Sequence, residues 1–209
     1  MIRLNFVVEG QTEEAFVRDV LGPHLWSREI ISTVRSVGGG RSYQRVKRNL
    51  LRWINEDRNA EARFTTMIDL YRLPIDFPKA TSLSADPLQR VAHLEDAFSV
   101  DIGDSRFVPY IQLHEFESLL LTRPDRFTEF FPDRQKAAQA LLDECAKYPT
   151  PEHVDDTPDT HPSRRILVHF SDYDKVAAAP IIANAIGLDA IRASCRHFDH
   201  WVKQLEALS

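Results

Sequence analysis

Short apolar runs that end on a carboxylate constrain this fold more than any other feature of the sequence. Residues 3–8, RLNFVV, end at Glu9-Gly10, and residues 64–69, FTTMID, end on Asp69. Both runs are rich in β-branched and aromatic residues, which is typical of buried strands. A further strand is predicted at 30–37, and the triple glycine at 38–40 ends it.

Helical patterns separate these strands along the chain. Thr12 is the expected N-cap of a first helix, whose apolar face includes Phe16, and a second helix is predicted at 42–57. Strands that alternate with helices indicate an α/β fold with a mostly parallel sheet flanked by helices. Such sheets gather their functional residues beyond the carboxyl ends of the strands, where we expect both Glu9 and Asp69.

The second half of the chain is predicted to be largely helical. A proline-rich insert precedes a helix at 88–98 and a strand at 106–113, and an acidic, proline-rich stretch at 150–163 is the expected mobile loop. We expect an α/β core at 1–122 and a helical C-terminal lobe at 123–209 packed on the same domain. The helices of this lobe are predicted at 124–131, 134–148, 180–186 and 198–208.

Composition limits the classes of protein to which the chain can belong. Its 209 residues are 43% hydrophobic and 27% charged, which suits one globular domain with a sizeable core. The formal net charge of -5 argues against coating nucleic acid through bulk charge, although a local basic face can still bind phosphates. Two cysteines without CxxC spacing, no secretion signal and no run of about 18 apolar residues predict a cytoplasmic protein.

Glu9 is the sharpest candidate for chemistry. A carboxylate at a strand end is costly to bury unless it is paired, hydrogen-bonded or bound to a cation. Gly10 lets the backbone bend so that the next helix directs its positive N-terminal end at the same crevice, where the carboxylate can hold a divalent metal. The alternative is that Glu9 only caps this helix.

Asp69 repeats this arrangement at the end of a neighbouring predicted strand. Two carboxylates at one sheet edge can share a single Mg²⁺ or Mn²⁺, so Glu9 and Asp69 are worth more as a pair than singly. The alternative for Asp69 is an aspartate that starts a turn.

Glu115 and Glu117, within the stretch HEFE, are two further candidate metal ligands. In a helix over 113–121, Glu117 projects to the same side as Leu120, whereas Glu115 points elsewhere. HEFE is not the HExxH motif of zinc proteases, and His114 alone is more often a hydrogen-bonded structural histidine than a ligand.

The second predicted helix carries a basic face. Arg41, Arg45, Arg48 and Arg52 follow 4-3-4 spacing and therefore share one side of that helix, which suits contact with the phosphate backbone of DNA or RNA. The alternative is a solvated face that pairs with acidic residues elsewhere in the protein.

More basic residues follow the expected loop. Arg164 and Arg165 are candidates for phosphate binding, and Lys175 comes shortly after them. A lysine above a metal-bound phosphate can stabilise the charge that develops during transfer, so Lys175 joins Glu9 and Asp69 as a candidate catalytic residue. Ordinary surface basicity is the alternative for each of these cations.

Several of these motifs resemble known families. VVEGQTEEAF resembles the first motif of Toprim domains, which occur in topoisomerases, primases and overcoming-lysogenization-defect nucleases. Together, FVVEGQTEEAFV, TTMIDLYRLPIDFP, FVPYIQLHEFESLLL, PSRRI and IGLDAIRASCRHFDHWVKQLE resemble an uncharacterised bacterial family, domain of unknown function 4276, over about residues 3–205.

This resemblance implies a Toprim-like fold with Glu9 at the invariant glutamate and Asp69 at the first aspartate of a DxD motif. In Toprim enzymes these two residues bind Mg²⁺, and the glutamate is also implied in proton transfer. Related Toprim groups stand beside ATPases in phage-defence systems, which implies an ATPase partner.

The chain departs from the wider Toprim pattern at one position. DxD would require a carboxylate where this chain has Tyr71, so a two-metal site would need Asp76, Glu115 or Glu117 as a substitute. Two hypotheses follow. The first is a metal-dependent phosphodiesterase, a nuclease effector of phage defence, and the second is a catalytically inert Toprim-like module that regulates an ATPase or binds nucleic acid.

Overall fold

A parallel sheet organises the protein. In the computed structural model, which describes residues 1–38, 42–81, 84, 86–154, 157 and 159–208, every strand pair is parallel. The strands are β1 (Ile2–Val8), β2 (Ile30–Ser36), β3 (Ala62–Asp69), β4 (Phe107–Val108) and β5 (Ile111–Gln112). Their order is β2-β1-β3-β4, and β5 also pairs with β3. The predicted α/β class, a mostly parallel sheet flanked by helices, is confirmed.

Helices connect and cover these strands. The α-helices are α1 (Gln11–Phe16), α2 (Gly22–Trp26), α3 (Tyr43–Glu56), α4 (Pro87–Ile102), α5 (Glu117–Leu120), α6 (Gln135–Cys145), α7 (Pro162–His169), α8 (Lys175–Ile186), α9 (Leu188–Ser194) and α10 (Arg196–Glu206). A π-helical turn at Val17–Leu21 joins α1 to α2, and short 3-10 helices lie at Pro124–Glu129 and Pro151–His153.

The register of the sheet sets the position of the strand-end acids. Val8 of β1 pairs with Met67 of β3, so Glu9 and Asp69 leave the sheet at the same edge. The backbone continues this pairing for one more step, because the N–H of Glu9 donates to the carbonyl of Met67 at 3.3 Å. The placement that the two apolar runs predict is therefore observed.

The strand predicted at 106–113 is divided in two. Pro109 separates β4 from β5, and proline has no N–H to donate to a neighbouring strand. The side chain of Thr66 fills the gap in the ladder: its hydroxyl donates to the carbonyl of Tyr110 at 2.9 Å and accepts the N–H of Tyr110 at 3.1 Å.

The first helix begins earlier than its sequence suggests. Gly10, not Thr12, is the N-cap of α1, and Thr12 is buried inside the helix. The carboxylate of Glu13 takes the role expected of a capping side chain, since its Oε2 accepts the N–H of Gly10 at 2.9 Å. Glu13 is thereby turned back towards the sheet edge.

The C-terminal helices differ from prediction mainly at their starts. Helix α8 begins at Lys175 and contains Pro180, whereas the proline suggested a start at that residue. Asp174 caps this earlier start, because its carboxylate accepts the N–H of Ala177 at 3.0 Å. Helices α7 and α9 were not predicted, and the expected helix at 124–131 is a 3-10 helix.

The stretch expected to be a mobile loop is partly fixed. Glu152 and Val154 are buried, and the Glu152 carboxylate accepts the N–H groups of His197 at 2.9 Å and Phe198 at 3.1 Å, at the start of α10. A mobile loop is therefore not supported at these residues. Residues 155, 156 and 158 of that stretch lie outside the described residues.

Two clusters of buried apolar residues cover the two faces of the sheet. Alternate residues of β1 face opposite sides, so Phe6 joins one cluster and Val7 the other. The Phe6 cluster includes Trp201 of α10, with the two rings 6.0 Å apart edge to face. The first strand and the last helix thus share one core, while the division at residue 122 stays a prediction.

No single helix among the described residues is both long enough and apolar enough to cross a membrane. Helices α8 and α9 together reach that length and apolarity, but they are bent by 84° at the break between them.

Candidate functional site

Glu9 and Asp69 meet at the carboxyl edge of the sheet. The N–H of Asp69 donates to Oε2 of Glu9 at 3.3 Å, so the two strand ends are joined through a site side chain. On its other side, Oδ1 of Asp69 accepts the N–H of Phe116 at 2.9 Å. Backbone groups of both neighbouring segments therefore hold these acids in place.

Two helices add buried carboxylates to this edge. Glu13 in α1 is 2% exposed, and Glu117, the first residue of α5, is 1% exposed. One oxygen of Glu117 faces the hydroxyl of Tyr173 at 3.5 Å. Because carboxylates at such depth are rarely left uncompensated, this arrangement requires a cation.

Lys175 provides that cation. Its Nζ lies 3.3 Å from Oε1 of Glu13 and 3.3 Å from Oε2 of Glu117. The same nitrogen lies 3.5 Å from Oδ2 of Asp69. We call Glu13, Asp69 and Glu117 the carboxylate cage. The three contacting oxygens come from α1, β3 and α5, and the ammonium of Lys175, the first residue of α8, is shared among them.

The ammonium of Lys175 is shared among three carboxylates, and each of the three contacts is long. Charge-assisted N–H···O bonds are usually about 2.7–2.9 Å long, which is shorter than any of these three separations. The lysine side chain is also 36% exposed, so a path to solvent is open to its ammonium group.

The electrostatics of the site follow from burial and from this one ammonium. Burial disfavours the charged form of Lys175, but attraction to Asp69, Glu117 and Glu13 outweighs it, so the pKa of Lys175 is raised and the group stays protonated. Burial raises the pKa of Glu9, and it raises that of Asp69 further with help from neighbouring acids. The same desolvation raises the pKa of Glu117.

Glu115 lies beside the cage and has its own partners. Its Oε2 accepts the N–H of Ser163 at 2.9 Å and lies 3.1 Å from Nδ1 of His161. Both of these residues belong to the start of α7, so Glu115 ties that helix to the site. Glu117 is buried, as its predicted helical position suggested, whereas Glu115 faces a different set of neighbours.

A pocket of about 320 Å³ opens next to these acids. Polar side chains from four segments line it, namely Glu9, Asp69, Tyr71, Arg72, Glu115 and Lys175, and its apolar wall includes Val37, Val46, Leu73 and Pro74. The pocket therefore combines carboxylates, two cations and one aromatic ring.

The fit of a divalent metal can be judged from the donors. All candidate ligands are carboxylates, which suit Mg²⁺ or Mn²⁺ better than a soft metal. Among the described residues, however, no group of three His, Cys, Asp or Glu side chains is arranged to hold an ion. We attribute this to Lys175, whose ammonium fills the centre of the cage. The donor set therefore matches a divalent ion in its chemistry, whereas the described arrangement is that of carboxylates around an ammonium.

Comparison with known proteins places the chain among relatives. The model of one family, described as domain of unknown function (DUF4276), matches residues 8–206. The chain belongs to the DUF4276 family. The predicted resemblance to this family is therefore confirmed. A comparison with curated proteins gives no match.

Solved structures similar to this DUF4276 chain are regions of OLD proteins. The C-terminal region of the Burkholderia pseudomallei OLD protein is 17% identical, with a TM-score of 0.50, over 99% of this chain and 98% of that one. The C-terminal region of the Xanthomonas campestris pv. campestris OLD protein is 16% identical, with a TM-score of 0.48, over 100% of this chain and 97% of that one. At such identity the likeness to the Burkholderia region shows the fold alone, and the Toprim-like prediction is confirmed at that level.

The predicted basic face of the DUF4276 chain lies on α3. Arg45, Arg48 and Arg52 are exposed there, while Arg41 lies outside the described residues. Arg52 forms an ion pair with Glu56 at 2.8 Å, within the same helix. The pairing alternative thus applies to Arg52, and phosphate binding by this face stays a prediction.

Arg164 and Arg165 have different surroundings although they are adjacent. Arg164 is exposed, whereas Arg165 is buried, pairs with Glu144 and donates to the hydroxyl of Tyr148 at 2.7 Å. Its guanidinium group links α7 to α6. The position of Arg165 argues against phosphate binding, because a phosphate could reach it only by breaking these contacts.

Of the possible substitutes for a second DxD acid, Asp76 lies elsewhere. Its carboxylate accepts the N–H groups of Tyr43 at 3.1 Å and Gln44 at 3.4 Å, at the start of α3. Glu115 and Glu117 both border the site, so they are the substitutes that the fold brings near Asp69.

Glu13 is the site residue that sequence analysis missed. In the sequence it is one of two adjacent acids near the start of a helix, where acidic residues are common. The signal in the sequence is Gly10. With Gly10 as the N-cap, Glu13 is the third residue of the helix, a position from which a glutamate side chain bends back to the cap. Four residues after Glu9, it also lies one helical turn from the site.

Proposed function

We propose that this protein is a metal-dependent phosphodiesterase, a nuclease of Toprim type. The observation that carries the proposal is the contact of one ammonium, that of Lys175, with three buried carboxylates beside Glu9. Such a cluster is unfavourable without a cation and is placed where parallel sheets hold their ligands. Mg²⁺ or Mn²⁺ is the exchangeable cation that its oxygens suit.

The site residues have separate roles in this proposal. Glu9 and Asp69, with Glu117 and Glu115 beside them, would hold the ion. When bound, a divalent ion supplies Lewis-acid polarisation of a phosphoryl oxygen. Glu9 has a raised pKa and borders the pocket, so it is suited to accept a proton there. Lys175 stays protonated and can neutralise negative charge on a substrate phosphate.

Substrate contacts would extend beyond the pocket. Exposed Arg45 and Arg48 on α3, together with Arg164 on α7, are suited to contact a phosphate backbone. Such contacts position DNA or RNA without reading its sequence. The Burkholderia region is the C-terminal part of an OLD protein, and the resemblance to Toprim groups implies an ATPase beside them, so we further propose an ATPase partner and a role in phage defence.

A second candidate function is an inert module that regulates an ATPase or binds nucleic acid. Its support is that Lys175 already neutralises the cage and that Tyr71 stands where a second DxD acid would be. In that case the ion pairs are structural, and a divalent ion has little to gain by displacing the lysine.

The deciding experiment is cleavage of labelled DNA, RNA and tRNA by the purified protein with Mg²⁺, Mn²⁺ or EDTA. Each reaction is repeated with and without an ATPase partner. Glu9→Gln and Asp69→Asn remove site charges, while Glu61→Gln and Asp133→Asn make the same changes at exposed positions.

A nuclease predicts cleavage that requires metal, disappears in the two site variants and persists in the two controls. Cleavage that survives both site variants would point to a contaminating enzyme. Absence of cleavage in every condition, with the site variants binding the partner as wild type does, would favour the inert module.

A further inference from the structure

Tyr71 contributes an aromatic surface to the pocket beside the carboxylate cage. Its ring lies over that of His161, with centroids 4.5 Å apart and planes 24° from parallel. Its backbone is fixed as well, since its N–H donates to the carbonyl of His114 at 2.7 Å. The ring is half-buried, so part of it faces the pocket.

The partner ring is held by the acid that borders the site. Nδ1 of His161 lies 3.1 Å from Oε2 of Glu115 and 3.1 Å from the hydroxyl of Ser163. Rotation of the imidazole would break both contacts. The stack of Tyr71 on His161 is therefore a rigid platform, and a ligand that rests on it need not order these side chains first.

Arg72 provides a charge next to the platform. Its guanidinium carbon lies 5.1 Å from the centroid of the Tyr71 ring, and its side chain is exposed. A cation over an aromatic ring at an exposed site contributes only about 0.5–1 kcal/mol. A ligand ring that stacks on Tyr71 can therefore displace the guanidinium group, which remains near enough to pair with an anion.

The backbone around the platform is also unusual. Arg72 and His114 both have left-handed φ angles, 60° and 61°, and they lie in the two segments joined by the Tyr71 hydrogen bond. Non-glycine residues in this region are energetically costly and concentrate at ligand sites. Here both Arg72 and His114 lie in the segments that border the pocket.

The size of the pocket limits what it can admit. Its volume of about 320 Å³ is at the lower end of small-ligand sites, which span about 300–1,000 Å³. One base with its sugar fits this range, whereas a stacked base pair inside a duplex cannot enter a pocket lined on several sides. Aromatic rings accept bases of any identity through stacking.

We propose that Tyr71 and His161 form a platform for one unpaired nucleobase, whose attached phosphate lies between Arg72 and the carboxylate cage. The inference rests on the proposed function for its substrate class and deepens it: the ligand is single-stranded nucleic acid or a free nucleotide, not duplex. Tyr71 is thus a substrate-binding residue at the position where a DxD motif would have its second metal-binding aspartate.

The test is binding without cleavage, measured by fluorescence anisotropy in EDTA and again in Ca²⁺. Probes are a labelled single-stranded oligonucleotide and its duplex, and a nucleoside monophosphate serves as competitor. Loss of a base stack costs about 1–3 kcal/mol, so Tyr71→Ala should weaken single-strand binding by about 5- to 150-fold. Tyr71→Phe should bind as wild type does, and duplex binding should not change.

Matched variants make the result decisive. Tyr71→Leu keeps the apolar volume without a π face and should lose binding even if Tyr71→Ala is poorly folded. The control is Trp26→Ala, which removes an aromatic ring on α2 from a residue that is 61% exposed. This variant should bind the single strand as wild type does. Displacement of the strand from the wild-type protein by the nucleoside monophosphate would show that a single nucleotide is sufficient to occupy the platform.

Three results would overturn the platform: unchanged single-strand affinity in Tyr71→Ala and Tyr71→Leu, equal losses for single strand and duplex, or no binding by wild type in either condition. The nuclease proposal fails separately. Tyr71-dependent binding without any cleavage would support the platform and refute the nuclease, and cleavage with unchanged binding in the variants would do the reverse.

Discussion

Nζ of Lys175 lies 3.5 Å from Oδ2 of Asp69, which brings the first residue of α8 to the last residue of β3. A strand-end acid from the first half of the chain thereby receives its cation from the second half. Because Glu13 and Glu117 share the same ammonium, the acidic edge of the sheet and the helical half stabilise each other.

Removing the Lys175 charge should strengthen divalent-metal binding. In Lys175→Met the cage loses its internal competitor, so we expect the Kd for Mn²⁺ in isothermal titration calorimetry to fall about tenfold, equal to about 1.4 kcal/mol. Without metal, the variant should unfold at a lower temperature than wild type, because three buried carboxylates are left unpaired.

The control for this variant is Lys136→Met, which removes an exposed lysine on α6 and should change neither quantity. Added Mn²⁺ should raise the melting temperature of Lys175→Met more than that of wild type, by the usual linkage of binding to folding. Equal or weaker Mn²⁺ binding by Lys175→Met would show that the cage is not a metal site.

Glu9→Gln should stabilise the fold in a pH-dependent manner. The pKa of Glu9 is raised in the folded protein, so between the unfolded and folded values the native state binds more protons, and stability falls as the pH rises. Below the ordinary pKa of 4.5, Glu9 is protonated in both states and contributes no difference.

Urea unfolding at acidic and alkaline pH measures this effect. We expect Glu9→Gln to have a higher free energy of unfolding than wild type on the alkaline side and an equal one at about pH 4. Glu61→Gln should follow wild type throughout. A loss of stability in Glu9→Gln at alkaline pH would mean that the ionised carboxylate is favourable in the fold.

Arg165 should prove structural and Arg164 functional. Arg165→Met removes the donor to Tyr148 and one of two basic partners of Glu144, which keeps only His169, so we expect unfolding to become easier by about 1–3 kcal/mol with nucleic-acid affinity unchanged. Arg164→Met should show the opposite pattern. Reduced affinity in a folded Arg165→Met protein would return this residue to the binding surface.

Arg48 should contribute to nucleic-acid binding through charge alone. If it contacts one phosphate, Arg48→Ala should reduce the slope of log affinity against log salt by about 0.7 for single-stranded DNA, whatever the base sequence. Arg196→Ala, at another exposed arginine, provides the comparison. An unchanged slope would mean that Arg48 contacts no phosphate and that its side of α3 is only solvated.

Local patterns were sufficient to predict the sheet edge. Each of the runs at β1 and β3 ends on an acid, and parallel strands present their carboxyl ends on the same side, so Glu9 and Asp69 were expected at the same edge. The pairing of β1 with β3 then makes them neighbours. The pattern was less informative at β4 and β5, where Pro109 interrupts the ladder and a threonine side chain replaces a backbone group.

Helix starts were harder to predict, and this affected the site. Thr12 has the side chain of a good N-cap, yet the helix is capped two residues earlier at Gly10, and this brings Glu13 inward. Lys175 was placed before a helix start at Pro180, but it begins α8 itself. In both cases the competing local signals were close, and packing selected between them.

The sequence by itself determined the α/β class, the strand-end positions of Glu9 and Asp69 and the family to which the chain belongs. The tertiary structure alone decided that Lys175 neutralises the carboxylate cage and that Tyr71 rests on His161. The physical reason is that periodicity and end signals act over a few neighbouring residues, whereas these contacts join segments far apart in the chain. Which helix covers which sheet edge is settled only when the apolar faces pack together.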